Sequence, residues 1–337
     1  MSPLPRAVTL DPRGARQHSV RRRARGEAAT AWAFISPAVL IILGLSIVPV
    51  VWSLLLSLRA DDLVTPGRWV GLDNYRALVQ DPNFHTAVRN TFLYAALYVP
   101  LSLVGGLALA LALNRRIRLI GLYRTLIFIP FVVSAAAQGV LFSFILDPEF
   151  GAANSLLHKL GISPQGFLSD PDQALFLLVL ISLWSGLGFC VVVYLAALQD
   201  VPPELVESAR LDGAGRVRVL RHITLPALTP VTVFLLLWQF ITALQVFDLV
   251  YVTTKGGPLG STTVVVYFVW EQAFKMFTAG YGAAAAYVLA VALLLAGLAG
   301  HLYRRHQDRA KEPGTPAPTG PPERDGGRRA ARPGAVR

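Results

Sequence analysis

The sequence contains little of the chemistry on which enzymes and disulfide-bonded proteins depend. Cys190 is the only cysteine among 337 residues, so the chain can form no internal disulfide and offers no cysteine cluster to a metal. The six histidines are scattered and form no metal-ligand set. Neither a Gly-x-x-x-x-Gly-Lys-Ser/Thr phosphate loop nor a Gly-x-Ser-x-Gly nucleophile turn occurs. We therefore expect no catalytic residues, no metal site and no cofactor bound by this chain.

Charged residues are absent from six long stretches of the chain. At 1.5 Å per helical residue, each stretch can cross the ~30 Å hydrocarbon layer of a membrane. With 54% hydrophobic and 15% charged residues, the composition is typical of a membrane protein. We predict an all-α, polytopic membrane protein with six transmembrane helices. The six stretches are Ala31–Leu58, Thr91–Leu113, Thr125–Leu146, Gln173–Gln199, Ile223–Phe247 and Thr278–Gly300.

Proline and glycine mark special positions inside these stretches. Pro49, Pro100 and Pro130 predict kinks, which membrane helices tolerate where neighbouring groups bind the freed carbonyls. The pair Gly105-Gly106 predicts a close contact between two helices, because glycine lets the backbones approach.

The excess of positive charge lies at the ends of the chain and in alternate loops. Of the 31 Lys and Arg residues, seven precede the first stretch and nine follow Gly300. Residues 115–124 and 210–221 hold four arginines each, whereas residues 147–172 are mainly acidic. By the positive-inside rule, both termini and the second and fourth loops are cytoplasmic. The net charge of +11 therefore indicates orientation in a membrane and contact with membrane lipid, and no nucleic acid.

The chain divides into one membrane domain and two basic tails. Residues 1–30 and 304–337 lack apolar periodicity and are rich in Arg, so we predict disordered cytoplasmic segments there. Residues 31–303 form the predicted six-helix domain.

The loop of residues 200–226 separates the fourth and fifth stretches and has a pattern of its own. Pro202-Pro203 can begin a helix, with Glu204 and Glu207 expected in its first turn. Gly213 stands where a helix end favours a left-handed residue, and a second helical pattern follows. A helix, a glycine bend and a helix on the cytoplasmic side predict a docking site. The alternative is a loop that merely lies on lipid headgroups.

A stripe of polar residues runs along the fifth stretch to its outer end. Thr242, Gln245 and Asp248 follow one another at intervals of three residues, with Gln239 beside them. Asp248 is the one acid within a continuous apolar stretch, where a carboxylate is costly and often functional. Amide and carboxylate groups beside aromatic residues suit a hydroxyl-rich solute, so the stripe is a candidate substrate pathway. The alternative is a seam of hydrogen bonds between helices.

The 200–226 loop also carries a pattern that resembles a known family. Glu207-Ser208-Ala209, then Gly213, then Ile223-Thr224-Leu225-Pro226 match the Glu-Ala-Ala, Gly and Ile-x-Leu-Pro signature of membrane subunits of binding-protein-dependent ABC importers. The nine-residue gap is intact, and Ser208 is the one departure. Three stretches are similar to the branch of that family that takes up maltose, multiple sugars and glycerol phosphate. They are Val70–Tyr75 with Arg89–Thr91, Phe247-Asp248 with Thr254–Pro258, and Tyr281–Ala284.

This resemblance implies a set of partners and roles. The chain would be a permease in a bacterial cytoplasmic membrane, paired with a second homologous permease. Glu207, Ala209, Asp212 and Gly213 would belong to a coupling loop that docks on a cytoplasmic ABC ATPase dimer, and that ATPase binds the ATP. Gly256, Gly257 and Pro258 would lie outside, near the docking position of an extracytoplasmic solute-binding protein. The expected cargo is a sugar or related polyol.

Other functions remain open at this point. The same kind of permease could carry a polyamine or a phosphate-bearing solute. An ion-coupled secondary transporter is a different class, which usually needs several acids or bases within the membrane. An intramembrane enzyme would need buried nucleophiles or acids that this sequence does not offer.

Overall fold

A computed structural model describes residues 30–62, 67–114 and 118–311, with the side chains of 296, 301 and 303–311 left out. The regular secondary structure of these residues is helical, apart from one antiparallel pair of two-residue strands, Arg59–Ala60 (β1) with Arg68–Trp69 (β2). The helices are α1 (Thr30–Ser57), α2 (Asp73–Gln80), α3 (Pro82–Leu113), α4 (Ile120–Val132), α5 (Ala135–Ile145), α6 (Ala152–Lys159), α7 (Ala174–Gln199), α8 (Pro203–Leu211), α9 (Arg216–Val219), α10 (Leu225–Leu244), α11 (Asp248–Val252), α12 (Val265–Trp270) and α13 (Ala279–Lys311).

The prediction of an all-α membrane protein with six spans is confirmed. Five of the helical segments are long and apolar enough to cross a membrane, and α4 with α5 makes a sixth, bent pair. The third span was predicted as one helix over Thr125–Leu146, and this was wrong. Its two halves meet at 96°, because Val133 is extended after Pro130 and Ser134 starts a new helix by accepting a hydrogen bond from the Ala137 amide.

The helices of the second and sixth spans run well beyond the uncharged stretches that predicted them. The helix of the second span begins at Pro82, where Asp81 caps it by accepting a hydrogen bond from the Asn83 amide. The last helix continues to Lys311, past the predicted boundary at residue 303, because the first helix-breaking residues are Pro313 and Gly314. The rest of the predicted tails, residues 1–29 and 312–337, lies outside the described residues.

The centre of the bundle is the contact between α3 and α7. A Cβ placed on Gly106 would lie 2.5 Å from the Cβ of Cys190, so glycine is what allows the two backbones to come this close. Cys190 is fully buried there, beside Val191 and Tyr194 of the same helix. The close contact predicted at Gly105-Gly106 is thus present, with Gly106 as the tight position.

The segment between the first two spans fixes the outer end of α1. The Asn74 side-chain amide donates to the carbonyls of Ser57 and Arg59, at 2.8 and 2.9 Å. The hydroxyls of Ser57 and Tyr75 lie 2.8 Å apart. Through these contacts the loop closes against the helix that precedes it.

Candidate functional site

The 200–226 loop forms two helices joined by a glycine bend, as the sequence predicts. Helix α8 begins after Pro202, with Glu204 in its first turn and Glu207 one turn further along than predicted. Gly213 has a φ of +81° and its amide donates to the Arg210 carbonyl at 3.0 Å. Glycine adopts this left-handed backbone without the steric cost that a Cβ brings. The chain can therefore turn sharply between α8 and α9.

The second helix of the loop differs from the prediction because it is not a separate element. Helix α9 passes through a π turn at Leu220–Thr224 directly into α10 of the fifth span. The span that was predicted to begin at Ile223 is therefore continuous with the loop from Arg216 onward.

Several apolar side chains of this loop face outward. Leu211 is 89% exposed and Val217 is 78% exposed, although both lie among charged residues. Asp212 and Ala209 line a groove of about 310 Å³ between the two helices. Glu207 and Gly213 are exposed but do not line this groove. Exposed apolar side chains are typical of a protein-docking surface. Two of the four predicted coupling residues thus share the groove, and the coupling role of all four stays a prediction.

A cavity of about 410 Å³ lies at the other end of α10. All four predicted pathway residues, Gln239, Thr242, Gln245 and Asp248, line it. Three further polar residues, Gln138, Ser182 and Ser185, line it as well, whereas Trp184 packs edge-on against Phe142.

Aromatic side chains from three spans form one wall of the cavity. The ring of Phe189 stacks on Phe131 at 5.5 Å between centroids and lies 5.6 Å from Trp238. Phe247 adds a fourth ring at the outer end. Such rings offer flat apolar faces, while the polar groups supply hydrogen bonds, and this combination suits a hydroxyl-rich solute.

The polar residues around the cavity divide into two kinds. Gln239 is 2% exposed and its amide donates to the Tyr98 hydroxyl at 3.0 Å, so the interhelical hydrogen bond that was the alternative interpretation is present at this residue. The Thr242 hydroxyl donates to the Trp238 carbonyl of its own helix at 2.9 Å. Gln245 and Asp248 are exposed to the cavity, and their side chains make no hydrogen bond or ion pair with any residue that the structure describes.

Helix breaks place these groups at the cavity. Helix α10 ends at Leu244, and Asp248 starts α11 after three non-helical residues, so the predicted span to Phe247 ends earlier. On the opposite side, the Gln138 amide donates to the carbonyls of Pro130 and Val133 at 3.1 and 2.7 Å. Gln138 thereby satisfies the carbonyls freed where the third span bends, a role that sequence reasoning missed.

The outer loop is held in place by residues of the second span. Gly256 is buried with a φ of +80°, and a Cβ there would meet the Thr263 hydroxyl at 2.7 Å. The Asn90 amide donates to the carbonyls of Gly260 and Thr263, at 2.9 and 3.0 Å. Gly257 and Pro258, joined by a cis peptide bond, are half-buried, and the next residue, Leu259, is 94% exposed.

The short apolar helix α12, which follows this loop, packs on the bundle. Tyr267 and Phe268 of α12 are buried. The Lys275 ammonium donates to the Glu271 carboxylate at 2.7 Å, and this hydrogen bond raises the pKa of Lys275 above its ordinary value. Among residues 30–62, 67–114 and 118–311, no group of three or more His, Cys, Asp or Glu side chains could hold a metal ion.

Comparison with known proteins gives one consistent family. Residues 102–311 match the model of a binding-protein-dependent transport system inner membrane component. The probable ABC transporter permease protein PH1215 of Pyrococcus horikoshii is 33% identical over 266 residues, which are 78% of this chain and 91% of that protein. The arabinooligosaccharides transport system permease protein AraP of Bacillus subtilis is 33% identical over 292 residues, 85% of this chain and 92% of AraP.

Two further comparisons agree with this family. The sn-glycerol-3-phosphate transport system permease protein UgpA of Yersinia pestis is 36% identical over 231 residues, 68% of this chain and 77% of UgpA. Among solved structures, a chain of a bacterial ABC transporter that imports the acidic polysaccharide alginate superposes with a TM-score of 0.75 at 25% identity, covering 84% of this chain and 98% of that one. The chain therefore belongs to the family of inner membrane components of binding-protein-dependent transport systems, the permease subunits of ABC importers.

Proposed function

We propose that this chain forms part of the translocation pathway of an ABC importer for a sugar or a related polyol. The observation that carries the proposal is the family match over residues 102–311, since these residues include the 200–226 loop and most of the cavity lining. AraP is named for the transport of arabinooligosaccharides and UgpA for that of sn-glycerol-3-phosphate. Both of these cargoes carry several hydroxyl groups, which fits a cavity with aromatic walls and free polar groups.

The energy source in this proposal is a separate ATPase pair in the cytoplasm of a bacterium. Its docking site is the 200–226 loop, where Leu211 and Val217 expose apolar side chains that a protein partner would cover. Closure of the ATPase pair on ATP would move the loop. Because α9 and α10 share one continuous backbone, that motion would reach the cavity through the 20 residues of α10, over about 30 Å.

Two more partners complete the proposed importer. A second, homologous permease would cover the open side of the cavity, because this chain lines the cavity on one side only. A solute-binding protein would deliver cargo on the outer side, near Gly256, Gly257 and Pro258 of the loop held by Asn90. In this proposal the protein lies in the bacterial cytoplasmic membrane, and the charge distribution favours an orientation with both termini in the cytoplasm.

The substitution Gly213→Arg tests the docking role of the loop. No atom lies within 4 Å of a Cβ placed at Gly213, so the new side chain meets no neighbour in this chain and puts a bulky cation on the docking surface. The left-handed φ of +81° strains any residue other than glycine there, and the control variant carries the same kind of strain. We expect loss of ATPase stimulation by cargo-loaded binding protein in proteoliposomes, with normal membrane insertion. Gly161→Arg is the matched control, because Gly161 also has a left-handed φ, +73°, and open space around it, but lies in the loop after α6.

Two results would contradict the proposal. Unchanged ATPase stimulation in Gly213→Arg would remove the loop as the docking site. Uptake that stops with a protonophore but continues after ATP depletion would replace the ABC importer with an ion-coupled transporter.

A further inference from the structure

The relatives are named for cargoes of different charge, so the comparisons do not decide whether this chain carries a neutral or an anionic solute. Arabinooligosaccharides, named for AraP, are uncharged, whereas sn-glycerol-3-phosphate and the acidic polysaccharide alginate carry negative charge. A pathway that accepts anions is expected to offer cationic side chains, since Arg and Lys are the groups that pair with phosphates and carboxylates. The lining of the cavity is therefore informative about which cargo this chain accepts.

The cavity described above offers no such cation. None of the described residues that line it is Lys, Arg or His, and one of them, Asp248, is an acid. The arginines nearest along the chain to α10 lie in the 200–226 loop, at the far end of that helix. The wall contributed by this chain is thus neutral except for a single negative charge.

Asp248 and Gln245 are placed to act on a solute in the cavity. They stand three residues apart, on either side of the helix break, and both are exposed to the cavity. Neither side chain is engaged by another described residue, in contrast to Gln239, whose amide is bound to Tyr98. A free carboxylate accepts hydrogen bonds from hydroxyl groups, and a free amide both donates and accepts them.

From this arrangement, and resting on the proposed function, we infer that the cargo is an uncharged saccharide and that Asp248 discriminates against anionic ones. The carboxylate binds hydroxyl groups of a neutral sugar, while the aromatic wall of Phe189 and Trp238 packs against the sugar faces. A uronic acid or sugar phosphate would bring a second negative charge beside Asp248. The repulsion between like charges grows as water is excluded from a narrow pathway.

The experiment measures charge selection in the assembled importer. Proteoliposomes that contain both permeases and the ATPase receive binding protein loaded with maltotriose, or with maltotriose oxidised to the uronic acid at its terminal C6. Uptake of each sugar is divided by the amount bound to the binding protein, so the selectivity of the binding protein does not affect the uptake ratio. Arabinotriose and its uronic counterpart replace this pair if the binding protein does not bind maltotriose.

The wild-type importer is expected to take up the neutral trisaccharide with at least about tenfold preference, equivalent to about 1.4 kcal/mol. Asp248→Asn keeps a hydrogen-bond acceptor but removes the charge, so it should raise the ratio of anionic to neutral uptake about tenfold. Gln245→Arg places a cation beside Asp248 and should raise the ratio of anionic to neutral uptake further. This second variant tests the inference even if the Asp248 variant does not assemble. Asp172→Asn, an exposed acid outside the cavity, should leave the ratio unchanged.

The possible failures can be told apart. If neither trisaccharide is taken up in an ATP-dependent way by the wild-type importer, the proposed sugar function is wrong. If both are taken up equally, or if Asp248→Asn and Gln245→Arg leave the ratio at the wild-type value, the sugar function stands and the inference about charge is overturned.

Discussion

The contact between Gly106 and Cys190 allows a prediction whose size can be worked out from the structure. In Gly106→Ala the new Cβ would lie 2.5 Å from the Cβ of Cys190, about 1 Å closer than the optimal separation of about 3.5–4.0 Å between carbon atoms. Neither Cβ can rotate away, so α3 and α7 must separate. Overpacking of this kind costs about 1–3 kcal/mol, and a contact between two fixed atoms belongs at the upper end.

The helix propensity of alanine offsets part of this cost. Alanine is favoured over glycine in a helix by about 1 kcal/mol, so the net loss is about 2 kcal/mol. At about 2–4 °C for each kcal/mol, the value for domains of 150–250 residues, the melting temperature should fall by about 4–8 °C. The assay heats the assembled importer in detergent and measures the intact fraction by size-exclusion chromatography. Gly105→Ala is the matched control, because its Cβ meets only the flexible end of Leu187, at 3.0 Å.

A second substitution identifies the cause. Cys190→Gly removes the atom with which the new Cβ collides, although it destabilises the protein by itself. The double variant Gly106→Ala/Cys190→Gly should therefore be more stable than the sum of the single effects implies, with a coupling of about 1–3 kcal/mol. Strict additivity of the two changes, or an unaltered melting temperature in Gly106→Ala, would refute the packing argument.

Two further predictions concern side-chain amides that donate hydrogen bonds to backbone carbonyls. Gln138→Leu should lower stability by about 1–3 kcal/mol in the same thermal assay, because it leaves the Val133 carbonyl unpaired and removes one of the two hydrogen bonds to the Pro130 carbonyl, whereas Gln199→Leu at an exposed position should not. Asn90→Ala removes the hydrogen bonds that hold residues 254–263, so amide hydrogen exchange should become faster there. The same variant should weaken stimulation of the ATPase by the binding protein. Asn83→Ala, at an exposed side chain, is the control. Unchanged exchange in Asn90→Ala would mean that other contacts hold the loop.

The positions of the spans could be read from the sequence because a membrane interior penalises charge so strongly. The same signal could not give the ends of the helices. A helix that leaves the membrane continues until its capping or breaking residues stop it, as α3 does at Asp81 and Pro82. Asp81-Pro82 is a helix-start signal, and the absence of charged residues alone does not reveal it.

The break in the third span shows a second limit. Hydropathy runs unchanged through Thr125–Leu146, so it cannot report a change of direction. Pro130 and Ser134 suggest one, but a proline in a membrane helix more often produces a kink than a turn of 96°. What stabilises the sharp bend is Gln138, which satisfies the freed carbonyls from the following helix.

The candidate site was partly predictable for a similar reason. The spacing of three residues predicted that Thr242, Gln245 and Asp248 share one helix face. Only Thr242 belongs to α10, however, and it is the helix break after Leu244 that places the other two at the cavity. Spacing could not tell which polar groups are free and which are engaged. The partner of Gln239 is Tyr98, 141 positions earlier in the chain, and only the packing of the second span against the fifth reveals it.

The unbroken backbone from α9 through α10 gives the loop the mechanics of a lever. A tilt of about 10° at the docking end of an arm about 30 Å long displaces the other end by about 5 Å, roughly the width of a sugar ring. The arm is not uniformly stiff, because Pro226 and Pro230 cannot donate backbone hydrogen bonds and lie next to the π turn at Leu220–Thr224. In the proposed importer, some of the motion delivered by the ATPase would thus be absorbed as bending near the 200–226 loop, and the ratio of bending to tilting would set how much of that motion reaches the cavity.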